Sequence, residues 1–342
     1  MISEPVSTAQ KPRSNFKLAL KIILPALVSI FCLAVAARNV QLEALSAILK
    51  SASYAPIFLG MTCSLVSFFL RARRWQTLLK PFHLFPTERL FRWQVGGLFI
   101  NNIAPMRLGD FFRGYWCGHK SALPKSSVLA TIVVERVLDV ISIATISAAL
   151  LGFRGIYHEG TTLNPLRIFI LISAIGLTLT LALIFIKLNL HQKLLTYLKT
   201  KLPQNLAELM DSFLSGLKII EDKKALLNVA AYSFLIWAVD ITVLMIVSYS
   251  LHLNLSWTQA GVTIIGLVLG VMIPAAPGAA GTYEAGGVSA LAILGFNSTL
   301  AFSFMILLHT SQFLFVMCIG IPILILEGFN PKELFNNFSN KR

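Results

Sequence analysis

The stretch MIPAAPGAAGTYEAGG, residues 272–287, interrupts a long apolar part of the chain with two prolines, a cluster of small residues and one carboxylate. Pro274 and Pro277 are expected to end an α-helix, because proline lacks the backbone donor and clashes with the preceding turn. Glu284 follows directly. The stretch therefore predicts a broken helix with a charged group beside the break.

Gly278 and Gly281 lie within this break and allow unusual backbone dihedral angles and a close approach of backbone or ligand. A break is tolerated at membrane depth only where protein or water covers its free backbone groups. Small residues alone would serve tight packing, so the added carboxylate of Glu284 favours a polar cavity.

The composition places the chain in a membrane. Of its 342 residues, 56% are hydrophobic and only 13% are charged, whereas a soluble domain has about a quarter charged residues. Several apolar runs reach the roughly 20 residues that a helix needs to cross a bilayer. We therefore predict an all-α polytopic membrane protein.

The net charge of +14 follows from basic residues that gather beside apolar segments. This is the distribution expected for cytoplasmic loops, so we predict no nucleic-acid partner. The same residues could also contact anionic lipid headgroups. The four cysteines are scattered and form no C-x-x-C pair, and no His/Cys cluster is present. The sequence thus predicts no metal site and no cofactor.

A second break is predicted in NNIAPMRLGDFFRG, residues 101–114. The apolar segment that leads into it, from Gln94 to Ala104, is too short to cross a membrane. Pro105 and Gly109 interrupt it, which is typical of a re-entrant segment. A loop is predicted for residues 38–51.

About six spanning helices plus two broken re-entrant hairpins account for the pattern. Span, hairpin and span occur at 54–70, 94–118 and 127–151, and again at 228–251, 257–294 and 301–326. A further span is predicted at 166–187, and a surface helix pair in 188–227. The positive-inside rule gives the two halves opposite orientations, which predicts an inverted repeat of the kind found in transporters.

Charged residues inside predicted spans are candidate functional groups, because an ionisable side chain in a membrane needs a partner or water. Glu135 and Asp139 lie one turn apart on a single helix face. Arg136 points about 100° away, so it is expected to pair with Asp110 or Glu284 rather than with its neighbours. A purely structural ion pair that locks the bundle is the alternative.

Arg107 and Arg113 differ from the loop arginines because they lie at a backbone break. Free N–H groups at a helix start, with guanidinium groups nearby, suit a phosphate. Interfacial arginines that extend towards water are the alternative. The sequence assigns no role to Asp240 or His309 and favours structural hydrogen bonding for both.

Three motifs in order resemble the transmembrane-region family of lysylphosphatidylglycerol synthases: NNIAPMRLGDFFR (101–113), VVERVLD (133–139) and IPAAPGAAGTYE (273–284). The resemblance covers nearly the whole chain and implies a flippase-like domain that moves an amphipathic lipid between leaflets. The motif residues carried over are Asn102, Pro105, Arg107, Gly109, Asp110, Arg113, Glu135, Arg136, Asp139, Pro274, Pro277, Gly278, Gly281 and Glu284. In the family, an arginine often occurs in the last helix, where this chain has His309.

The predicted organisation is a disordered cytoplasmic N-terminus at 1–15, a flippase-like transmembrane domain at 16–327 and a cytoplasmic tail at 328–342. The short tail leaves no room for the soluble synthase domain of the lysyl-lipid enzyme. We expect a bacterial cytoplasmic (inner) membrane protein with both termini in the cytoplasm.

The predicted function is lipid transport rather than catalysis, with no catalytic residue assigned. The partner would be a membrane lipid with an anionic or zwitterionic headgroup, and the chain could also bind a second copy or a lipid-modifying enzyme. No G-x-x-x-x-G-K-[ST] motif is present, so movement would be energy-free or gradient-driven. The alternatives are a membrane-embedded lipid-modifying transferase or an accessory subunit of such an enzyme.

Overall fold

A computed structural model describes residues 15–104, 107–152, 203–216 and 222–329, and every regular element in these ranges is helical. The first part of the chain forms α1 (Asn15–Ala37), α2 (Leu42–Lys50), α3 (Tyr54–Leu79), α4 (Thr87–Ile103), α5 (Leu108–Ser121) and α6 (Lys125–Gly152). The all-α membrane fold predicted from composition is confirmed at this level.

The second part begins with α7 (Gln204–Gly216). It continues with α8 (Lys223–Ser248), which a short 3₁₀ helix extends to Leu251, then α9 (Trp257–Met272), the 3₁₀ helix Pro277–Ala279, α10 (Thr282–Ile293) and α11 (Ser298–Leu326). Local capping defines several of these starts: the Asp222 carboxylate accepts from the backbone N–H of Lys224 and Ala225 at the start of α8. A capping box of Ser256 and Gln259 begins α9.

Three described helices are long and apolar enough to cross a membrane: α3, α8 with its extension, and α11. A fourth span results if Ile23–Ala37 and Leu42–Lys50, which meet at 88°, are counted as one. The predicted span at 166–187 and the predicted disordered N-terminal residues 1–14 lie outside the described residues, as do residues 330–342 of the predicted tail. The number of six spans therefore stays a prediction.

Several elements predicted from the sequence have other bounds in the structure. The first hairpin, expected from Gln94, begins with α4 at Thr87. Residues 42–50 form the helix α2 where a loop was expected, because leucine and alanine in this segment favour a helix with an apolar face. The span expected to end at Leu70 continues as α3 to Leu79. The basic run from Arg71 to Arg74 is therefore helical and can turn some of its side chains inward.

Burial is arranged as a membrane requires. Large apolar side chains such as Phe31, Phe58 and Ile325 are exposed on the outside of the bundle, where they can face lipid. Charged side chains such as Arg74 and Glu135 are fully buried inside it. This distribution places the polar groups where they can partner one another.

The two hairpins, α4–α5 and α9–α10, enter the bundle from opposite ends. The backbone N–H of Ser53 donates to the carbonyl of Ser250 (2.9 Å), so the start of α3 lies beside the end of α8, where α9 begins. The hairpin α4–α5 follows the far end of α3, and there Trp93 Nε1 donates to Glu327 after α11 (2.9 Å). The predicted symmetry between the halves stays a prediction.

Candidate functional site

A cavity of about 640 Å³ lies in the middle of the bundle, against both helix breaks. Its wall is mostly apolar, with polar side chains at defined positions. The polar lining is formed by Arg71, Gln94, Asn101, Asn102, Arg107, Asp110, Arg136, Asp139, Asp240, Tyr283, His309 and Gln312. A cavity of this size falls in the range of small-molecule sites.

The first break lies between α4 and α5. Arg107 begins α5 in the left-handed backbone conformation, with φ of 55°. The backbone N–H of Gly109 lies in the first turn of α5, where no partner within the helix is available. It donates to Asn101 Oδ1 instead (2.7 Å). A Cβ on Gly109 would lie 1.9 Å from the Gly97 carbonyl oxygen, so only glycine allows this approach of the two helices. Pro105 lies outside the described residues.

The second break follows α9, which ends at Met272, before Pro274. Pro277 begins the short 3₁₀ helix, and Gly278 (φ 67°) and Gly281 (φ 87°) adopt conformations that favour glycine. The Ala276 N–H donates to Ser29 Oγ of α1 (2.8 Å). Protein groups thus satisfy part of the interrupted backbone, as a break within a membrane requires.

The two breaks meet each other. A Cβ added at Gly278 would lie 3.6 Å from the Asn102 carbonyl oxygen, an ordinary van der Waals distance. Asn102 Nδ2 also donates to the carbonyl of Phe313 in α11 (3.4 Å). Asn102 therefore connects the first break to the second break and to the last helix.

Four predicted site residues form an ionic chain on the cavity wall. Arg136 lies 3.7 Å from Asp110 (Nε–Oδ2) and 3.3 Å from Asp139 (Nη1–Oδ2). Arg107 Nε lies 4.0 Å from the same Asp110 oxygen. Pairing of Arg136 with Asp110 was expected, but pairing with its neighbour Asp139 was not. Residues three apart differ by only about 60° around a helix, which the long arginine side chain spans.

Arg113 and Glu135 lie behind this wall rather than in the lining of the cavity. Arg113 is buried, donates to Gln94 Oε1 and Glu135 Oε2, and places its guanidinium 4.4 Å from the centre of the Trp75 ring. Its two terminal nitrogens donate to protein acceptors, while its Nε is buried without a partner among the described residues. The structure therefore separates Arg113 from Arg107 and Arg136, although the sequence grouped all three.

Arg71 lines the cavity, and Arg74 lies behind its wall in contact with Asp139, although the sequence placed both arginines with the cytoplasmic basic cluster. Arg74 is fully buried, with Nη1 2.5 Å from Asp139 Oδ1 and 2.9 Å from Ser233 Oγ. Arg71 also has an acidic partner: its Nη2 lies 2.7 Å from Asp240 Oδ2. The available signal was their spacing of three residues, which puts both on one face of a helix.

Glu284 lies on the other side of the cavity, away from the arginines. Its Oε2 accepts from the Gly281 N–H (2.6 Å), and its Oε1 lies 2.5 Å from His309 Nδ1. The His309 ring stacks on the Tyr283 ring, with centroids 4.3 Å apart. The second break thus has its own cluster of polar side chains. Tyr283 and His309 of this cluster line the cavity, whereas Glu284 does not.

These features define a multi-pass, all-helical membrane protein with a polar cavity between two helix breaks. The chain belongs to the family described as the lysylphosphatidylglycerol synthase TM region, whose family model matches residues 22–320. The resemblance inferred from the three motifs is confirmed.

Two archaeal relatives agree with this assignment. The UPF0104 membrane protein MJ1078 of Methanocaldococcus jannaschii is 26% identical over 226 residues, which cover 65% of this chain and 92% of the relative. The UPF0104 membrane protein MJ1595 of the same organism is 40% identical over 78 residues, 22% of this chain and 23% of the relative.

Proposed function

We propose that this protein moves a phospholipid or glycolipid between the two leaflets, with the headgroup in the polar cavity and the acyl tails in the surrounding lipid. The observation that carries this proposal is a cavity with charged and polar side chains in a mostly apolar wall, inside a bundle whose outer surface exposes large apolar side chains. Such a cavity lowers the cost of taking a headgroup through the hydrocarbon region, where polar groups otherwise lack partners.

The cavity arginines favour a phosphate-bearing headgroup. The side chains of Arg107 and Arg136 are 45% and 34% exposed. Their contacts with Asp110, at 4.0 and 3.7 Å, are longer than hydrogen bonds. Among the described residues, Arg136 Nε is buried without a hydrogen-bond acceptor, so it is the exposed part of each guanidinium that can bind a phosphate. Binding through these exposed atoms does not first break a strong hydrogen bond to Asp110.

The charge of the network agrees with an anionic or zwitterionic headgroup. Five arginines and four carboxylates form it among the described residues: Arg71, Arg74, Arg107, Arg113, Arg136, Asp110, Glu135, Asp139 and Asp240. One positive charge therefore remains in excess. A phosphate adds the missing negative charge, and a cationic headgroup part can contact Asp110.

The proposal also states in which membrane the protein lies and on which side its termini are. We place the protein in the cytoplasmic membrane of a bacterium, with both termini in the cytoplasm, because the positive-inside rule puts the exposed basic residues of 73–89 and 120–125 on the cytoplasmic side.

The test is translocation of a fluorescent phospholipid in proteoliposomes, measured by the fraction of label that an impermeant quencher reaches. We expect the wild type to equilibrate the label between leaflets, and Arg136→Ala and Glu284→Gln to abolish this while size-exclusion profiles stay unchanged. Arg73→Ala is the matched control, since Arg73 is exposed and contacts only Gln76 and Thr87 by hydrogen bonds. Unchanged translocation in both site variants would contradict the proposal. Mass spectrometry of the recovered lipid detects headgroup transfer, the outcome that favours an enzyme.

A further inference from the structure

His309 is placed between two hydrogen-bond acceptors at the second break. Its Nε2 lies 3.0 Å from the carbonyl oxygen of Gly278, and its Nδ1 lies 2.5 Å from Oε1 of Glu284. The other carboxylate oxygen of Glu284 accepts from the Gly281 N–H (2.6 Å). The pair of Glu284 and His309 therefore contacts two backbone groups of the second break, the carbonyl of Gly278 and the N–H of Gly281.

These contacts determine how many protons the pair carries. A carbonyl oxygen only accepts, so the contact with Gly278 requires a hydrogen on Nε2 of His309. The 2.5 Å contact between Nδ1 and Oε1 requires a further hydrogen between them. Either the imidazole is doubly protonated, or Glu284 is protonated and donates. In both forms the pair holds one proton more than a neutral histidine beside a carboxylate.

The extra proton can exchange with the cavity. His309 lines the cavity and its side chain is 16% exposed, whereas that of Glu284 is 5% exposed. The Tyr283 hydroxyl donates to Gln312 Oε1 (2.9 Å) and does not compete for the Glu284 carboxylate. His309 is therefore the member of the pair that cavity water can reach.

The segments packed around Glu284 and His309 contribute few other side chains that could exchange a proton. Helix α9 and residues 273–281 contain no ionisable side chain, and α1 contributes the Ser29 hydroxyl at this point. The ionisable groups that share the cavity from the other helices are Arg71, Arg107, Asp110, Arg136, Asp139, Asp240 and Tyr283. Each carboxylate among them already contacts an arginine, so the pair of Glu284 and His309 is the group with an exchangeable proton.

Loss of this proton would disturb the break. The lone pair of Nδ1 would then face a carboxylate oxygen at hydrogen-bond distance, and the two atoms would repel each other. To relieve this repulsion, His309 or Glu284 has to move. Such a movement changes the contact of His309 with Gly278 or that of Glu284 with Gly281. Both glycines have positive φ and can change conformation more readily than other residues. Gly278 also contacts the first break at Asn102.

We propose that Glu284 and His309 bind a proton whose uptake and release accompany rearrangement of the second break, so that lipid movement is coupled to a proton gradient. This inference rests on the proposed lipid transport. The step itself is a proton transfer between the pair and cavity water. It changes the charge of the pair by one unit and breaks no other covalent bond.

The experiment uses the same proteoliposomes with and without a pH difference across the membrane. Without a gradient, the wild type should equilibrate labelled phospholipid. With a difference of one pH unit and one proton per lipid, the label should reach an asymmetry of up to about tenfold between leaflets. His309→Gln should abolish this asymmetry. His83→Gln, the same change at an exposed histidine outside the cavity lining, should retain it.

The outcomes separate the two proposals. Equilibration by the wild type with no response to the gradient overturns the coupling and leaves lipid transport standing. An equal gradient response in His309→Gln also overturns the coupling, whereas a complete lack of translocation overturns both. An independent readout is ¹⁵N NMR of histidine-labelled wild type, which needs no folded variant at the site. We expect Nε2 of His309 to carry a hydrogen and Nδ1 to be hydrogen-bonded to Glu284, and a deprotonated Nε2 would contradict the inference.

Discussion

Arg74 of α3 and Asp139 of α6 form a buried ion pair, with Nη1 of the arginine 2.5 Å from Oδ1 of the aspartate. The same guanidinium lies 3.5 Å from Glu135 (Nε–Oε1). Glu135 in turn binds Arg113 of α5, so one buried network joins three helices. This network fixes Asp139, and through it the cavity-facing Arg136. The internal charges therefore position the cavity wall as well as holding the bundle together.

Replacement of Arg74 by alanine should destabilise the protein strongly. The change leaves Asp139 and Glu135 with one partner fewer inside the bundle, and breaking a buried pair in this way costs about 3–5 kcal/mol. The measurement is the melting temperature of the detergent-purified protein. Arg73→Ala, one residue earlier and exposed, should change the melting temperature little. Equal melting temperatures for the two variants would contradict the assigned role of Arg74.

Gly109→Ala should damage the first hairpin. An added Cβ would lie 1.9 Å from the backbone oxygen of Gly97, and a backbone atom cannot move aside as a side chain can. Overpacking typically costs about 1–3 kcal/mol, and here it would also displace Asp110 in the first turn of α5. We expect a lower melting temperature and reduced lipid translocation.

Gly96→Ala provides the comparison for Gly109→Ala. Its added Cβ would meet two side chains and no backbone atom: Leu324 at 3.2 Å, which can adjust by rotation, and Phe112 at 3.7 Å, an ordinary van der Waals distance. A melting temperature close to wild type is expected. If Gly96→Ala were as damaging as Gly109→Ala, the close backbone contact between α4 and α5 would not be the cause.

Arg71 and Asp240 should be energetically coupled across the cavity. Their side chains are 16% and 23% exposed and lie 2.7 Å apart (Nη2–Oδ2). A double-mutant cycle with Arg71→Gln and Asp240→Asn should give a coupling of about 1 kcal/mol in the free energy of unfolding, the upper end for partly exposed pairs. The more exposed pair of Glu88 and Arg92, treated in the same way, should give a smaller coupling. Additive effects for Arg71 and Asp240 would disprove their coupling.

The sequence predicted the breaks well because their signals are local. The first arm of the second hairpin was expected at 257–273 and is found at Trp257–Met272, since Pro274 ends a helix wherever it occurs. Glu284 was assigned to this break from its position alone. Helix α2 was missed because a polar segment between two spans resembles a loop as much as a short helix.

The partners of the charged residues could not be predicted in the same way. Arg71 and Asp240 are separated by 169 positions, and no local pattern relates them. The positive-inside rule counts Arg71, Arg73 and Arg74 alike, although only Arg73 is exposed. The contact between Glu284 and His309 depends on how α10 packs against α11, which neither segment encodes by itself.

The orientation of the two halves can be tested by cysteine labelling. The basic residues around Lys120 predict that the end of α5 faces the cytoplasm, and α2 then lies on the opposite side. Lys120 and Glu43 are both exposed, so a cysteine at either position is accessible to a maleimide. In a variant with the four native cysteines replaced by serine, an impermeant maleimide added to intact cells should label Glu43→Cys and not Lys120→Cys. Permeabilised cells, in which both should react, control for reactivity. Labelling of Lys120→Cys alone would disprove the predicted orientation, and labelling of both positions in intact cells would disprove the placement of α2 and the end of α5 on opposite sides of the membrane.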